Sequence, residues 1–271
     1  MTDLTLHITQ SPDSWILDEF LVEYDKAFVL PDEKETSEGF RQCMLLNEGG
    51  AHDRLVSRFG PFGEFVIVAK DSQGRFVGGI NMLAYRAPEA GENGDDLFGI
   101  ALNYAFVAKA FRRQGHLGKL VQIAREVAAD ALNARPEAFL VFLEINNPTK
   151  MSQEDIHLDS ELSGIDQDAR LLVWERIGAS VIDVDYVQPP LSDDGQAPET
   201  RLLLAVIAPT PRQQLDSERL RAHLERFFGI SVLKGKDLPE VAMAQIQACQ
   251  ARHDGYALLA PSGFVRGSAQ F

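Results

Sequence analysis

The run Val107-Ala108-Lys109-Ala110-Phe111-Arg112-Arg113-Gln114-Gly115-His116-Leu117-Gly118-Lys119-Leu120 carries a β-strand into a helix through a short turn with basic residues and two glycines. Helix N-termini leave several backbone N–H groups without intrahelical partners, and the helix dipole places partial positive charge there. Glycine permits positive φ and lets a ligand approach the main chain closely. Arg112, Arg113 and Lys119 add full charges around the turn. These features read as a cradle for a pyrophosphate at a strand-to-helix junction. A glycine-containing turn with solvated arginines is the other reading of the same residues.

The flanks of this turn supply a βαβ unit. After it, Leu117, Leu120, Val121, Ala124, Val127, Ala128, Ala131 and Leu132 recur at helical spacing, which predicts an amphipathic helix packed on a sheet over Gly115 to Ala134. Arg135-Pro136 stops it, and Phe139 to Ile145 is nearly all apolar, as in a strand buried on both faces. Before the turn, Leu97 to Val107 reads as a central strand. Strand, helix, strand in this order makes the two strands parallel neighbours.

Upstream, Leu4 to Ile8 alternates as a strand. Ser11 to Ser14 caps a helix carrying Trp15, Leu17, Phe20, Leu21, Tyr24 and Phe28. A second helix is expected over Ser37 to Asn47, stopped by Gly49-Gly50, and Glu64 to Lys70 with Arg75 to Tyr85 reads as a hairpin. Downstream, Asn146 to Gly164 reads as a polar, acid-rich loop. Asp166 caps a helix through Ile177 with Gly178 as its stop, and Ser180 to Val187 and Thr200 to Ile207 read as strands. Pro209-Thr210-Pro211 breaks the pattern. Two helices follow, one with Leu215, Leu220, Leu224, Phe227 and Phe228, the other from about Pro239 to Ala251. The expected division is a main α/β domain over residues 1–208 and a helical C-terminal extension over 209–271 that leans on it.

Composition narrows the function. Of 271 residues, 45% are hydrophobic and 24% charged, which is ordinary globular usage and argues against wholesale disorder. With 26 basic and 40 acidic residues the formal net charge is −14, so nucleic acid and anionic membrane surfaces are poor partners. The two cysteines, Cys43 and Cys249, lie far apart, and no Cys/His cluster has zinc-ligand spacing, so neither a disulfide framework nor a metal is expected. The first residues lack the basic region and apolar core of a signal peptide, and no apolar run approaches a membrane span, so a cytoplasmic location is expected.

The cradle is not a P-loop, because no GxxxxGK followed by Ser or Thr occurs, and it is not a dinucleotide-binding turn, because no GxGxxG follows an early strand. It resembles the GNAT superfamily of acyl-CoA-dependent N-acyltransferases. That family's central motif is Gln or Arg, two residues, Gly, one residue, then Gly or Ala, after a strand ending in Val and an aromatic residue just before the Arg. Val107, Phe111, Arg112 and Gly115 fall in that register, while Leu117 occupies the final small-residue position with Gly118 next to it. The resemblance extends over about residues 1 to 208, including Trp174-Glu175-Arg176-Ile177-Gly178-Ala179, where Ala179 replaces the family's usual Phe.

The resemblance implies a mixed, mostly antiparallel sheet whose two parallel central strands part, flanked by helices. Acetyl-CoA or another acyl-CoA is the implied co-substrate and a small-molecule amine the implied acceptor, with no metal. By position, the backbone of Ala105, Phe106 and Val107 would meet the pantetheine arm as an added strand does. Arg112, Arg113, Gln114, Gly115, His116, Leu117, Gly118 and Lys119 would hold the pyrophosphate. Asn147 stands where the family often has a CoA-contacting Asn, with Asn146 the competing residue.

The reaction needs a deprotonated amine, a polarised thioester carbonyl and a protonated thiolate. The backbone N–H near Val107 would polarise the carbonyl. Many family members place an acidic Tyr four residues before the late Gly, where this chain has Trp174, whose indole cannot protonate a thiolate. Tyr186 is then the candidate acid, or else an ordinary strand aromatic. Glu144 interrupts an apolar strand near its C-terminal end, so it is either the base or half of an ion pair with an Arg such as Arg170. Two functions follow: an N-acetyltransferase acting on an amine, or an acyl-CoA-binding regulatory or catalytically degenerate domain. A homodimer is compatible with either.

Overall fold

The protein is described by a computed structural model, which covers residues 4–28, 34–88, 95–191 and 197–267. In chain order its strands are β1 (Thr5–Thr9), β2 (Phe62–Lys70), β3 (Phe76–Ala87), β4 (Leu97–Val107), β5 (Phe139–Asn146), β6 (Ala179–Ile182), β7 (Leu202–Ile207), β8 (Gln214–Leu215) and β9 (Tyr256–Leu259). They form one sheet in the order β1-β2-β3-β4-β5-β7-β6-β9-β8. Every pairing is antiparallel except β4 with β5. The mixed, mostly antiparallel sheet that the resemblance implies is present.

The β4–β5 pair is short. Phe98 to Ala101 pairs with Phe139 to Phe142 and the ladder then ends. Beyond it β4 stays on β3 as far as Val107 opposite Gly78, while β5 stays on β7 as far as Asn146 opposite Leu202. Each strand follows its outer neighbour, so the two part. A bulge helps: Asn81 faces Tyr104 but Met82 faces Leu102, leaving Asn103 as the extra residue of β4. Bulges bend and twist the strand that carries them.

Helix α4 (His116–Leu132) covers one face, packing Leu120, Val121, Ala124 and Ala128 on Ile67, Ile80, Met82, Ile100 and Val141. The other face has two covers. Helices α1 (Trp15–Ala27) and α2 (Ser37–Leu45) set Leu17, Phe20, Tyr24 and Phe40 on Val66, Val68 and Phe106. Helix α7 (Ser217–Arg226) runs into a π-helical turn over Phe227–Val232, and together they set Leu220, Leu224, Phe227 and Phe228 on Leu83, Tyr85, Phe142 and Leu204.

Four elements depart from the sequence expectations. Gly49-Gly50 does not merely stop a helix: Gly49, at φ 70, turns the chain into α3 (Gly49–Phe59). The segment read as an acidic loop holds α5 (Gln153–Ser163), capped by Ser152, whose hydroxyl accepts from Asp155 N at 3.0 Å, and closed by Gly164 in the left-handed region. The strand expected through Val187 ends at Ile182. Two i to i−2 turns follow, Val184 N to Ile182 O at 2.8 Å and Tyr186 N to Val184 O at 2.9 Å. Finally, the C-terminal segment carries α7 and α8 (Glu240–Ala251) as expected, but β9 also joins β6, with Val181 opposite Leu259. The expected helix α6 (Gln167–Arg176) is present, capped by Asp166, with Gly178 beyond its end at φ 93.

Candidate active site between the parted strands

The cradle is built by two left-handed residues. After Val107 one 3-10 turn, Lys109–Phe111, is pinned by Ala108 N to Val77 O at 2.9 Å and Phe111 N to Ala108 O at 2.8 Å. Arg113 then adopts φ 62, and Gly115 adopts φ 78 and ψ 4 as the cap of α4. The first amide of α4 to find a carbonyl is Lys119, on Gly115 O at 3.3 Å. Among the described residues, the amides of Arg113, Gln114, Gly115, His116, Leu117 and Gly118 donate to no protein acceptor. A Cβ on Gly115 would meet nothing within 4 Å.

The side chains of the turn mostly brace it. Arg112 donates from Nε to Val107 O at 3.1 Å, and burial, then the nearby Arg170, holds its guanidinium below the usual arginine range. His116 is buried edge-on to Phe111, and Gln114 donates to Ala110 O at 3.3 Å. Leu117 turns its side chain inward onto the core, which explains how a large residue sits at a position read as small. Gly118 lies close to Ile177.

Ala105, Phe106 and Val107 lie on the part of β4 that β5 has left. Asn147, across the gap, is buried in the turn after β5, where its Oδ1 accepts from Thr149 N at 3.1 Å and Thr149 Oγ1 at 2.6 Å. That turn is one role the structure gives its side chain.

Glu144 and Tyr186, 42 residues apart, meet. The Tyr186 hydroxyl donates to Glu144 Oε1 at 2.5 Å, and Gln188 Nε2 donates to Oε2 at 2.8 Å. Arg170 is not the partner of Glu144; it pairs with Asp159 at 2.8 Å. Burial pushes the Glu144 carboxyl up to about 7, against the pull of the Tyr186 hydrogen bond and with a further push from Glu199. Burial, then Glu144, raises Tyr186 well above the ordinary phenol range. The double turn after β6 is what aims Tyr186 at β5. Trp174 is buried in the core on the α4 face, and Tyr104 accepts from Glu35 N at 3.1 Å within the aromatic cluster under α1. His157 pairs with Glu161 on exposed α5.

A narrow cavity sits where the strands begin to part. Leu102 and Asn103 of β4, Leu143 and Glu144 of β5, Leu204 of β7, and His223 and Phe227 from the C-terminal segment line it. His223 stacks on Phe142 at 3.9 Å between centroids, and burial, then Arg226, lowers it to about 3, so it is a neutral imidazole. Asn103 and His223 line this cavity and were not singled out from the sequence. Asn103 is a polar residue inside an apolar strand, which was a signal. His223 lies on the apolar stripe of α7, which hid it. Among the described residues no cluster of His, Cys, Asp and Glu suits a metal ion, and no helix is long and apolar enough to cross a membrane.

No family model matches the chain, and no curated protein matches it. Solved structures do. A spermidine N-acetyltransferase mutant from Vibrio cholerae is 12% identical over 76% of this chain and 94% of its own, with a TM-score of 0.38. Naa20 from Chaetomium thermophilum, in complex with a bisubstrate analogue, is 17% identical over 76% and 86%, with a TM-score of 0.38. A Bacillus subtilis acetyltransferase in complex with CoA is 12% identical over 76% and 99%, with a TM-score of 0.32. Likenesses of that size leave the chemistry to be read from this chain's own strands and side chains.

Proposed function

We propose that the protein is a GNAT-type N-acyltransferase that moves an acyl group, with acetyl the first candidate, from CoA to a small-molecule amine. One observation carries this reading: six consecutive amides that find no acceptor among the described residues follow the stretch of β4 that β5 has left. A diphosphate on the amides and an extended arm in the gap use both features.

The residues then divide the work. An acceptor arrives as R–NH3⁺, since a free alkylammonium has a pKa of about 10.4. Glu144, whose carboxyl burial raises to about 7, takes one proton and leaves a lone pair on nitrogen. Nitrogen bonds to the thioester carbon, the carbon–sulfur bond breaks, and the amide nitrogen gives up a second proton. Tyr186 gives its hydroxyl proton to the departing thiolate and regains one from Glu144 along their hydrogen bond. The sum is amide, CoA thiol and one released proton. A backbone amide near Val107 steadies the carbonyl oxygen.

The test is thiol release from acetyl-CoA across a panel of amines; absence of turnover with every acyl-CoA and amine would overturn the catalytic reading. The narrowness of the cavity and Trp174 in the core favour a second reading, an acyl-CoA-binding domain without catalysis. In that case CoA binds, and Glu144→Gln and Tyr186→Phe alter nothing measurable.

A further inference from the structure

The polar groups beside the cavity have fixed directions. Glu64 of β2 is fully buried and accepts the Ser231 hydroxyl proton at Oε1. With its proton committed, Ser231 Oγ offers only lone pairs to Asn103 Nδ2, 3.5 Å away. Asn81 Nδ2 donates to Phe65 O at 3.2 Å, so Asn81 Oδ1 is the atom that faces Asn103 Nδ2, also at 3.2 Å. Both neighbours of the Asn103 amide nitrogen are therefore acceptors. Turning the amide over would set oxygen against oxygen twice. Asn103 Oδ1 must point away from them, and there it is buried and accepts no hydrogen bond among the described residues. A buried acceptor without a donor costs stability, so such an atom in a folded protein asks for an explanation.

The explanation lies across the gap. Asn103 is the extra residue of the β4 bulge, and bulges re-aim side chains beside functional sites. It shares its cavity with Glu144, whose carboxylate is another acceptor, while Leu102, Leu143, Leu204 and Phe227 supply apolar walls. The site offers acceptors for N–H groups between apolar walls.

We propose that Asn103 Oδ1 and Glu144 together seat the nitrogen of the acceptor, and that the acceptor is a primary alkylamine. This rests on the acyl-transfer reading for the fate of the nitrogen, not for its capture. One N–H of the ammonium ion goes to Asn103, one proton goes to Glu144, and the lone pair so released is left to attack. Glu64 and Ser231 are positioning residues that act through Asn103, and Ser231 comes from the C-terminal π-helical turn, so the segment beyond residue 208 helps shape the acceptor seat.

The experiment is calorimetric titration of the full chain with propylammonium and with trimethylpropylammonium, which has the same charge and no N–H, each in saturating CoA. The wild type should bind propylammonium at least tenfold more tightly than the trimethyl ion. Asn103→Leu should lose about tenfold for propylammonium and nothing for CoA. Equal binding of the two ions, no binding of propylammonium, or an Asn103→Leu variant that binds it like the wild type would each overturn the proposal. So would a variant that loses CoA to the same degree, since the effect would then be general. The comparison of two ions on the wild type stands even if the variant does not fold. Failure of CoA to bind while propylammonium discriminates as expected would sink the acyl-CoA reading and leave the nitrogen seat.

Discussion

In the proposed reaction Glu144 takes the amine proton, and its environment fixes how it should respond. It lies on β5 among apolar neighbours, and burial brings its carboxyl to about 7. A base must be ionised, so kcat/KM should rise with pH through about 7, and Glu144→Gln should cost roughly a hundredfold or more in kcat with CoA affinity unchanged. Tyr186→Phe removes a hydrogen bond that lowers Glu144, so the midpoint of the pH profile should move to higher pH while the rate falls. A purely structural Tyr186 would leave that midpoint in place. Stability carries the opposite sign from activity. A carboxyl raised in the folded state binds its proton more tightly there than in the unfolded chain. Its contribution is therefore intact below about pH 4.3 and lost as pH climbs toward 7. Thermal melts should show Glu144→Gln gaining on the wild type between pH 5 and pH 8.5; a constant difference would contradict the burial account. Glu144 was legible in the sequence as a charge in an apolar strand. Its partner was not, because the pairing depends on two tight turns after Ile182 that no periodicity announces.

At the scale of elements, the turn from β4 into α4 is the part the sequence exposed best. Two glycines, clustered basic residues and a long apolar stripe place a helix start after a strand. What stayed hidden is that Arg113, not only a glycine, takes the left-handed conformation. Gly115→Val tests the element. A β-branched residue at φ 78 is strained by about 1–2 kcal/mol, which should disturb the turn that sets the amides. The melt should fall by a few degrees and CoA affinity by more than tenfold; unchanged affinity in a folded variant would remove the diphosphate from this turn. Helix α5 was illegible for a physical reason. It is capped well but has few buried residues, so it lacks the apolar stripe by which helices are recognised. Helix α3 was hidden by its own opening glycines, residues that ordinarily end helices.

The strands of the whole molecule form one sheet that runs from β1 at one edge to β8 at the other, and the segment beyond residue 208 is part of it. The sequence announced helices beyond Pro211. It did not announce β9, four residues long, whose pairing with β6 is decided by a partner about 75 residues earlier in the chain. Phe227 and Phe228 cover Tyr85, Phe142 and Leu204 on the face of the sheet that also holds Glu144. Each such side chain contributes about 1.5–3 kcal/mol by burial, and domains are stable by only about 5–15 kcal/mol. A chain ending at residue 208 should therefore show no cooperative thermal transition. A sharp melt near that of the full chain would show that the C-terminal segment is dispensable to the fold. The measurement that bears most directly on the whole account is an amide NMR titration with CoA. The largest shifts should fall on Arg113 to Gly118, with a second group on Ala105 to Val107. Saturable CoA binding that leaves those nine amides unmoved, or no binding at all, would contradict it.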